Sequence, residues 1–375
     1  MGSYLSVDAL QRALSDGVFA RTDAPKKAAG RALGTLIELI TFYLLRDWGL
    51  ESSLAIERGL PEYGNSSISH NVEFTLHGIL SEDVYAFPDD GSTMTSSKLL
   101  KLLPAAMIAD TAARKSRTLI KGDVIRHACT FATEVDHFWN AFVSGPQAVS
   151  ISKLANQPFA MFECKRVGVE EGQKKGPQTI EKAKQGAYVA RTVSGIQRIA
   201  RADGTVAAVF EDSDGLLSTH ENYYDLIDEL VSSGNGEAIR NLVLTIGVVS
   251  NHGNWFTSDT QNKEMRVLAQ SYDWLLFLTD LALAEFIGMV LESTEPGFEG
   301  TRDAFARSYA ASGGKNVFTK VEIDRNADAE LTAFFASSQP WDKWFNVIAP
   351  ANRQIDELKS QLLRLRGVSG LRGTL

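Results

Sequence analysis

Several features that would commit a chain to a particular chemistry are missing here. There are only two cysteines, Cys129 and Cys164, too few for a disulfide framework or a four-ligand zinc site. A reducing cytoplasm is the simplest setting for such a chain. The six histidines are scattered, with no His-x-x-x-His pair and no Cys/His cluster, which argues against a zinc hydrolase. No Gly-x-x-x-x-Gly-Lys-Ser/Thr loop occurs, so no nucleotide cofactor and no ATP-driven translocation are expected. The formal net charge is −8, so the surface as a whole carries no positive coat, although a local basic cleft is compatible with that balance. The most apolar stretch, Trp274 to Leu291, is interrupted by Asp280 and Glu285 and reads as a buried helix rather than a membrane span. The first residues show no basic region followed by an apolar core, so no signal peptide is read. Neither an internal repeat nor a low-complexity run is found.

What is present is an ordinary folded composition, 44% hydrophobic and 22% charged over 375 residues, enough for one large domain or two modest ones. Lys26 to Trp48 reads as a helix. Leu33, Leu36, Ile37, Ile40, Tyr43 and Leu44 recur near the 3.6 period, and Gly49 is its expected stop. A strand is expected around Val72–Leu76, a loop over Asp89–Ser97 and a helical segment over Lys98–Ala113. A basic stretch follows: Arg114, Lys115, Arg117, Lys121 and Arg126. Ala128–Phe142 and Phe159–Val167 are strand-like. A polar loop, Gly168–Gln178, precedes an expected helix over Thr179–Ile199, and Leu242–Ser250 is a β-branched strand candidate. From Met265 the pattern is mostly helical, ending in a helix over Asn352–Gly367. The order predicts a mixed α/β (α+β) protein with a central mixed β-sheet flanked by helices. Residues 1–260 would form the core, with a helical insertion around 92–122, and 261–375 a mostly helical region for recognition or dimerisation.

The segment Phe159-Ala160-Met161-Phe162-Glu163-Cys164-Lys165-Arg166-Val167 carries the chemistry. Alternate side chains of a strand share a face, so Glu163 and Lys165 project together while Phe162 and Cys164 enter the core. A charged pair on an otherwise apolar strand demands an explanation. A carboxylate suits Mg²⁺, a hard cation that takes oxygen ligands, and an adjacent ammonium can orient a water and offset charge developing on a phosphate. A second carboxylate is needed. In Thr133-Glu134-Val135-Asp136-His137-Phe138, Asp136 is the first choice and Glu134 its substitute; a more distant acid such as Glu73 is a third option.

An acidic residue on one strand, then an apolar strand ending in Glu-x-Lys, then a helix, resembles the PD-(D/E)XK nuclease pattern, a superfamily that includes many type II restriction endonucleases. Val135 stands where that pattern has proline. The helix containing Gly34-Thr35-Leu36-Ile37-Glu38 is similar to the N-terminal helix of that fold, which often places a glutamate near the metal. Lys184-Gln185-Gly186-Ala187-Tyr188 falls where some members contact phosphate. The resemblance spans about Pro25 to Ser250. It implies a restriction-endonuclease-like core, Mg²⁺ held by Asp136 and Glu163, and catalytic roles for Asp136, Glu163, Lys165 and Glu38. It also implies a homodimer cutting double-stranded DNA at a symmetric site. Arg166, Lys174, Lys175, Gln185, Lys121 and His252 are then the DNA-contact candidates. A second Glu-x-Lys, Glu357-Leu358-Lys359, lies in a helical pattern and reads as surface charge.

Overall fold

The computed structural model describes residues 7–16, 25–66, 68, 71–87, 91–104, 107–145, 147–167, 186–212, 214–236, 239, 242–251, 263–292, 296–309, 316–337 and 341–369. Two helices come first, α1 (Val7–Asp16) and α2 (Pro25–Asp47), followed by the paired strands β1 (Leu54–Arg58) and β2 (Val72–Ala86). Short elements come next: β3 (Met94–Thr95), α3 (Ser96–Leu100), β4 (Ala113–Arg114), β5 (Thr118–Lys121) and β6 (Val124–Arg126). The hairpin of β7 (Ala128–Thr133) and β8 (His137–Gly145) leads into the 20-residue β9 (Ala148–Val167). Helix α4 covers 186–193. A small meander of β10 (Gln197–Ala200), β11 (Val206–Glu211) and β12 (Leu217–His220) precedes α5 (Tyr223–Ser233) and β13 (Leu244–Asn251). The remainder runs α6 (Lys263–Ala269), β14 (Trp274–Leu278), α7 (Asp280–Phe286), α8 (Glu299–Ser308) and β15 (Glu322–Asp324). It ends with α9 (Arg325–Ala336), α10 (Trp341–Trp344), β16 (Phe345–Ala349) and α11 (Ile355–Ser369).

The result is a mixed α/β protein whose central mixed sheet has nine strands among the described residues. Strand β9 is its spine. One edge pairs antiparallel with β2 along nearly its whole length; the other pairs with β8 in its first half and runs parallel to β13 in its second. Strands β14 and β16 extend the sheet beyond β13. Helices cover both faces. Phe74, Phe162, Cys164, Ile246 and Val248 pack with α2, α9 and α11 on one side; Met161, Val167, Val249 and Leu275 pack with α4 and α6 on the other.

The long helix forms as its periodicity predicts, and Gly49 ends it at φ +70°, a conformation glycine adopts at little cost. By length and composition α2 could cross a membrane, but most of it is buried inside the fold. Three expectations need correction. Ala128–Phe142 is two strands joined by a turn at 134–136, not one run. The expected helical insertion around 92–122 holds only one short helix, α3; its strands β3 and β5 join β6 and β15 in a separate four-stranded sheet, β15-β6-β5-β3, and β4 pairs with β7 in the central sheet. Trp274–Leu291 is not one helix. Trp274–Leu278 is a fully buried strand and the helix starts only after Thr279, whose hydroxyl accepts from Ala282 N. A continuous apolar run in a sheet buried on both faces looks like a buried helix by composition. Because β14 and β16 belong to the central sheet, region 261–375 is not simply a helical appendage.

Candidate functional site

Glu163 and Lys165 lie on β9 as the alternation predicts, on the face away from α2, while the Cys164 thiol reaches the Thr41 hydroxyl of that helix at 3.5 Å. The Glu163 residue is only 1% exposed. Its neighbours follow from register. Strand β2 pairs Phe74 with Phe162, so the next antiparallel step sets Glu73 opposite Glu163. On β1, Ile56 and Arg58 pair with Phe74 and Val72, so Glu57 lies opposite Glu73. On the other side Gly247 of β13 is the parallel partner of Glu163. One rung of the sheet therefore reads Glu57, Glu73, Glu163, Gly247.

Two ammonium groups enter this rung. Lys165 Nζ is 3.3 Å from Glu73 Oε1 and 3.5 Å from Glu163 Oε2. Lys320, from the segment leading into β15, is 3% exposed. Its Nζ is 2.9 Å from Glu38 Oε2 and 3.4 Å from Glu57 Oε1, and it also pairs with Glu73. Glu57 holds a positive φ of 49°, an uncommon conformation for a side-chain-bearing residue that persists where its surroundings impose it.

Tyr272 closes the other side. Its ring lies on Gly247, where a Cβ would come within 2.6 Å of Tyr272 Cδ2. A Cβ on Gly186, at the start of the described α4, would lie 2.6 Å from Tyr272 Oη and 2.9 Å from Glu163 Cγ. Two glycines thus let helix and ring approach the carboxylate. Burial, then the charge of Glu163, push the Tyr272 phenol well above its ordinary value. Beside Lys320 opens a cleft of about 770 Å³, whose lining includes Glu38, Glu57, Arg58, Lys115, Arg117 and Arg126.

The expected second ligands are elsewhere. Asp136 is exposed in the β7–β8 turn, and its carbonyl accepts from Asn156 N, seven residues before Glu163 on β9. At ~3.3 Å per residue that is roughly 20 Å away. Pairing β8 against the first half of β9, rather than the second, is what separates them. Glu134 is structural: its Oε1 accepts from Trp139 Nε1 at 3.1 Å and lies 3.3 Å from His137 Nε2. Burial pushes its carboxyl up, but these donors and the Ala109 amide win and hold it below the usual carboxylate range. Glu73, the third option, takes the place beside Glu163. Glu38 reaches the site through Lys320. Arg166 does not face the cluster: it donates to Gly30 O at 3.0 Å and Gln11 Oε1 at 3.2 Å, tying β9 to α2 and α1. Lys121 is exposed on β5. Lys174, Lys175, Gln185 and His252 lie outside the described residues. Of Glu357-Leu358-Lys359, which lies on helix α11, Glu357 is exposed and Lys359 half-buried, as expected of surface charge, while Leu358 enters the core.

Sequence reasoning passed over Glu57 and Lys320 entirely. Glu73 had a legible signal, a single acid within the apolar strand Val72-Glu73-Phe74-Thr75-Leu76. Lys320 had none, since its burial is created by contacts across most of the chain.

Among the described residues no group of three or more His, Cys, Asp or Glu side chains is arranged to hold a metal ion. Mg²⁺ is usually held by one or two carboxylates, with waters and substrate phosphate completing its shell. Glu73 and Glu163 converge on a common point, presently marked by Lys165 Nζ. No protein-family model matches the chain, and neither the curated proteins nor the solved structures yield a match.

Proposed function

We propose that this chain is a Mg²⁺-dependent endodeoxyribonuclease of the PD-(D/E)XK kind, cutting double-stranded DNA in the manner of a type II restriction enzyme. The observation that carries the reading is the opposition of Glu73 and Glu163 on neighbouring antiparallel strands, with Lys165 Nζ within 3.5 Å of both. The order of elements supports it. A helix bearing Glu38, a strand bearing an acid, a strand ending in Glu-x-Lys and then a helix together resemble a restriction-endonuclease-like core, with Glu73 in the acidic place assigned above to Asp136.

Glu73 and Glu163 would hold the ion. A divalent cation there supplies Lewis-acid chemistry, lowering the pKa of water and offsetting charge that gathers on a scissile phosphate. Lys165, its side chain one-third exposed, can point its N–H groups at the attacking water and at a phosphate oxygen. Tyr272 and α4 exclude bulk water from the buried side of Glu163, which strengthens each of these interactions. The cleft supplies cations for the DNA backbone: among the described residues Lys115 and Arg117 have no carboxylate partner. Purified protein incubated with plasmid DNA and Mg²⁺ should give discrete bands, and Glu163→Gln should give none. A smear points to a nonspecific nuclease, faster cutting of branched than of linear DNA to a junction enzyme, and DNA binding without cutting to a binding protein. The resemblance also implies a homodimer, which sedimentation would show.

A further inference from the structure

Lys320 is an unusual presence among these carboxylates. A fully buried lysine is rare unless paired, and this one is paired with three glutamates from three separate elements: Glu38 of α2, Glu57 of β1 and Glu73 of β2. It is not a loose side chain that happens to fall inward. Its carbonyl accepts from His127 Nδ1 at 2.8 Å, and the His127 amide donates to the next carbonyl, Val321 O, at 3.0 Å. The turn itself is closed by Thr319, whose amide donates to Glu322 O and whose hydroxyl accepts from the Val321 and Glu322 amides. On its other side the His127 ring lies 3.1 Å from Asp328, which also binds Tyr43 and Arg46. The fold thus delivers one ammonium group to a fixed point.

Formal charge indicates what that group does. Glu38, Glu57, Glu73 and Glu163 bring four carboxylates to the rung; Lys165 and Lys320 bring two ammonium groups. What remains is the charge of a single divalent cation. Lys320 bridges the side formed by Glu38, Glu57 and the second oxygen of Glu73; between Glu73 and Glu163 stands the Lys165 ammonium, 3.3 and 3.5 Å from their oxygens, which an ion held there would displace. We propose that Lys320 takes the place of a second metal ion, so that the site holds one divalent cation and a built-in ammonium. The inference rests on the metal reading of Glu73 and Glu163. It goes further by assigning a metal count and the residue that sets it.

Titrating the full chain with Mn²⁺ alone, by calorimetry and by electron paramagnetic resonance, tests it without any turnover. Wild type should bind one Mn²⁺ per chain. Lys320→Gln leaves Glu38, Glu57 and Glu73 facing one another without a cation, and should bind two, the first about tenfold more tightly because a neighbouring like charge is gone. Lys320→Arg keeps the charge and should bind one. Two ions in wild type, or one ion of unchanged affinity in Lys320→Gln, overturns the role of Lys320. If Lys320→Gln fails to fold by circular dichroism, the wild-type count decides alone, one ion upholding the proposal and two overturning it. A wild type that binds no Mn²⁺ at all overturns the metal reading beneath it instead, so the two failures are distinct.

Discussion

At the scale of single residues, burial separates Glu163 from every other acid considered. A carboxylate 1% exposed is costly unless charge or hydrogen bonds compensate it, and here Lys165 stands 3.5 Å away. If Glu73, Glu163 and Lys165 act as one unit, Glu73→Gln, Glu163→Gln and Lys165→Ala should each lower the rate of plasmid cleavage by about 10²–10³-fold or more. Asp136→Asn, out on an exposed turn, should leave the rate unchanged. An equal loss in Asp136→Asn would return that residue to the site and remove Glu73 from it. Gly186 tests the packing rather than the charges. Its replacement by alanine puts a methyl group against Tyr272 and Glu163, and overpacking of this kind costs ~1–3 kcal/mol, to be read as a lowered denaturation midpoint.

At the scale of elements, helices α2 and α9 are joined by a buried polar network. Asp328 accepts from Tyr43 at 2.9 Å and Arg46 at 2.8 Å, with His127 Nε2 3.1 Å away. Burial pushes the Asp328 carboxyl up, but the His127, Arg46 and Tyr43 donors outweigh it and bring it down from 3.8 to about 2. A carboxyl whose pKa falls on folding stabilises the native state at pH above its unfolded value, and that stabilisation is lost as pH drops through the folded value. Asp328 therefore contributes at neutral pH, up to about 2 kcal/mol at 1.36 kcal/mol per unit, and the contribution fades between about pH 4 and pH 2. Asp328→Asn should lower stability at pH 7, by ~3–5 kcal/mol for a broken buried pair, and should flatten the acid limb of the stability curve. Denaturant titrations at pH 7, 4 and 3 would show both. This network was not legible in the sequence. His127, Asp328, Tyr43 and Arg46 are separated by up to 285 positions, and no local period joins them. The helix itself was legible, because Leu33 to Leu44 repeat with the helical turn regardless of what they pack against.

At the scale of the whole molecule, the residues after 260 complete the core rather than decorate it. They supply β14 and β16 to the central sheet and Lys320 to the site. A fragment of residues 1–260 exposes the open edge of β13 and leaves Glu38, Glu57 and Glu73 without their shared cation. It should fail to fold cooperatively, as judged by near-ultraviolet circular dichroism and protease resistance; a stable, well-dispersed fragment would contradict this. The cleft is likewise a property of the assembled molecule. In a chain of net charge −8, Lys115 and Arg117 on its wall have no carboxylate partner among the described residues. If that wall follows a DNA backbone, Lys115→Ala and Arg117→Ala should each weaken binding and reduce the slope of log affinity against log salt by about 1. Lys121→Ala, outside the cleft lining, should change it less.

The local pattern was enough to place the strand that carries Glu163 and Lys165. Apolar residues alternate with Glu163 and Lys165, and a strand of that pattern puts both charges on one face whatever surrounds it. Composition and the order of periodic segments were likewise enough to indicate a mixed α/β protein, because each segment's period is a short-range property. The choice of partner strand was not local. Strand β9 is long enough to take β8 against its first half and β13 against its second, with β2 alongside throughout. Which acid faces Glu163 depends on that division, and β2 rather than the nearer β7–β8 hairpin brings it. Lys320 was decided at longer range still, since only the docking of β15 against β6, with His127 holding the turn, carries its ammonium into the fold. Sequence neighbours set the face of a strand; long-range pairing and burial set what that face meets.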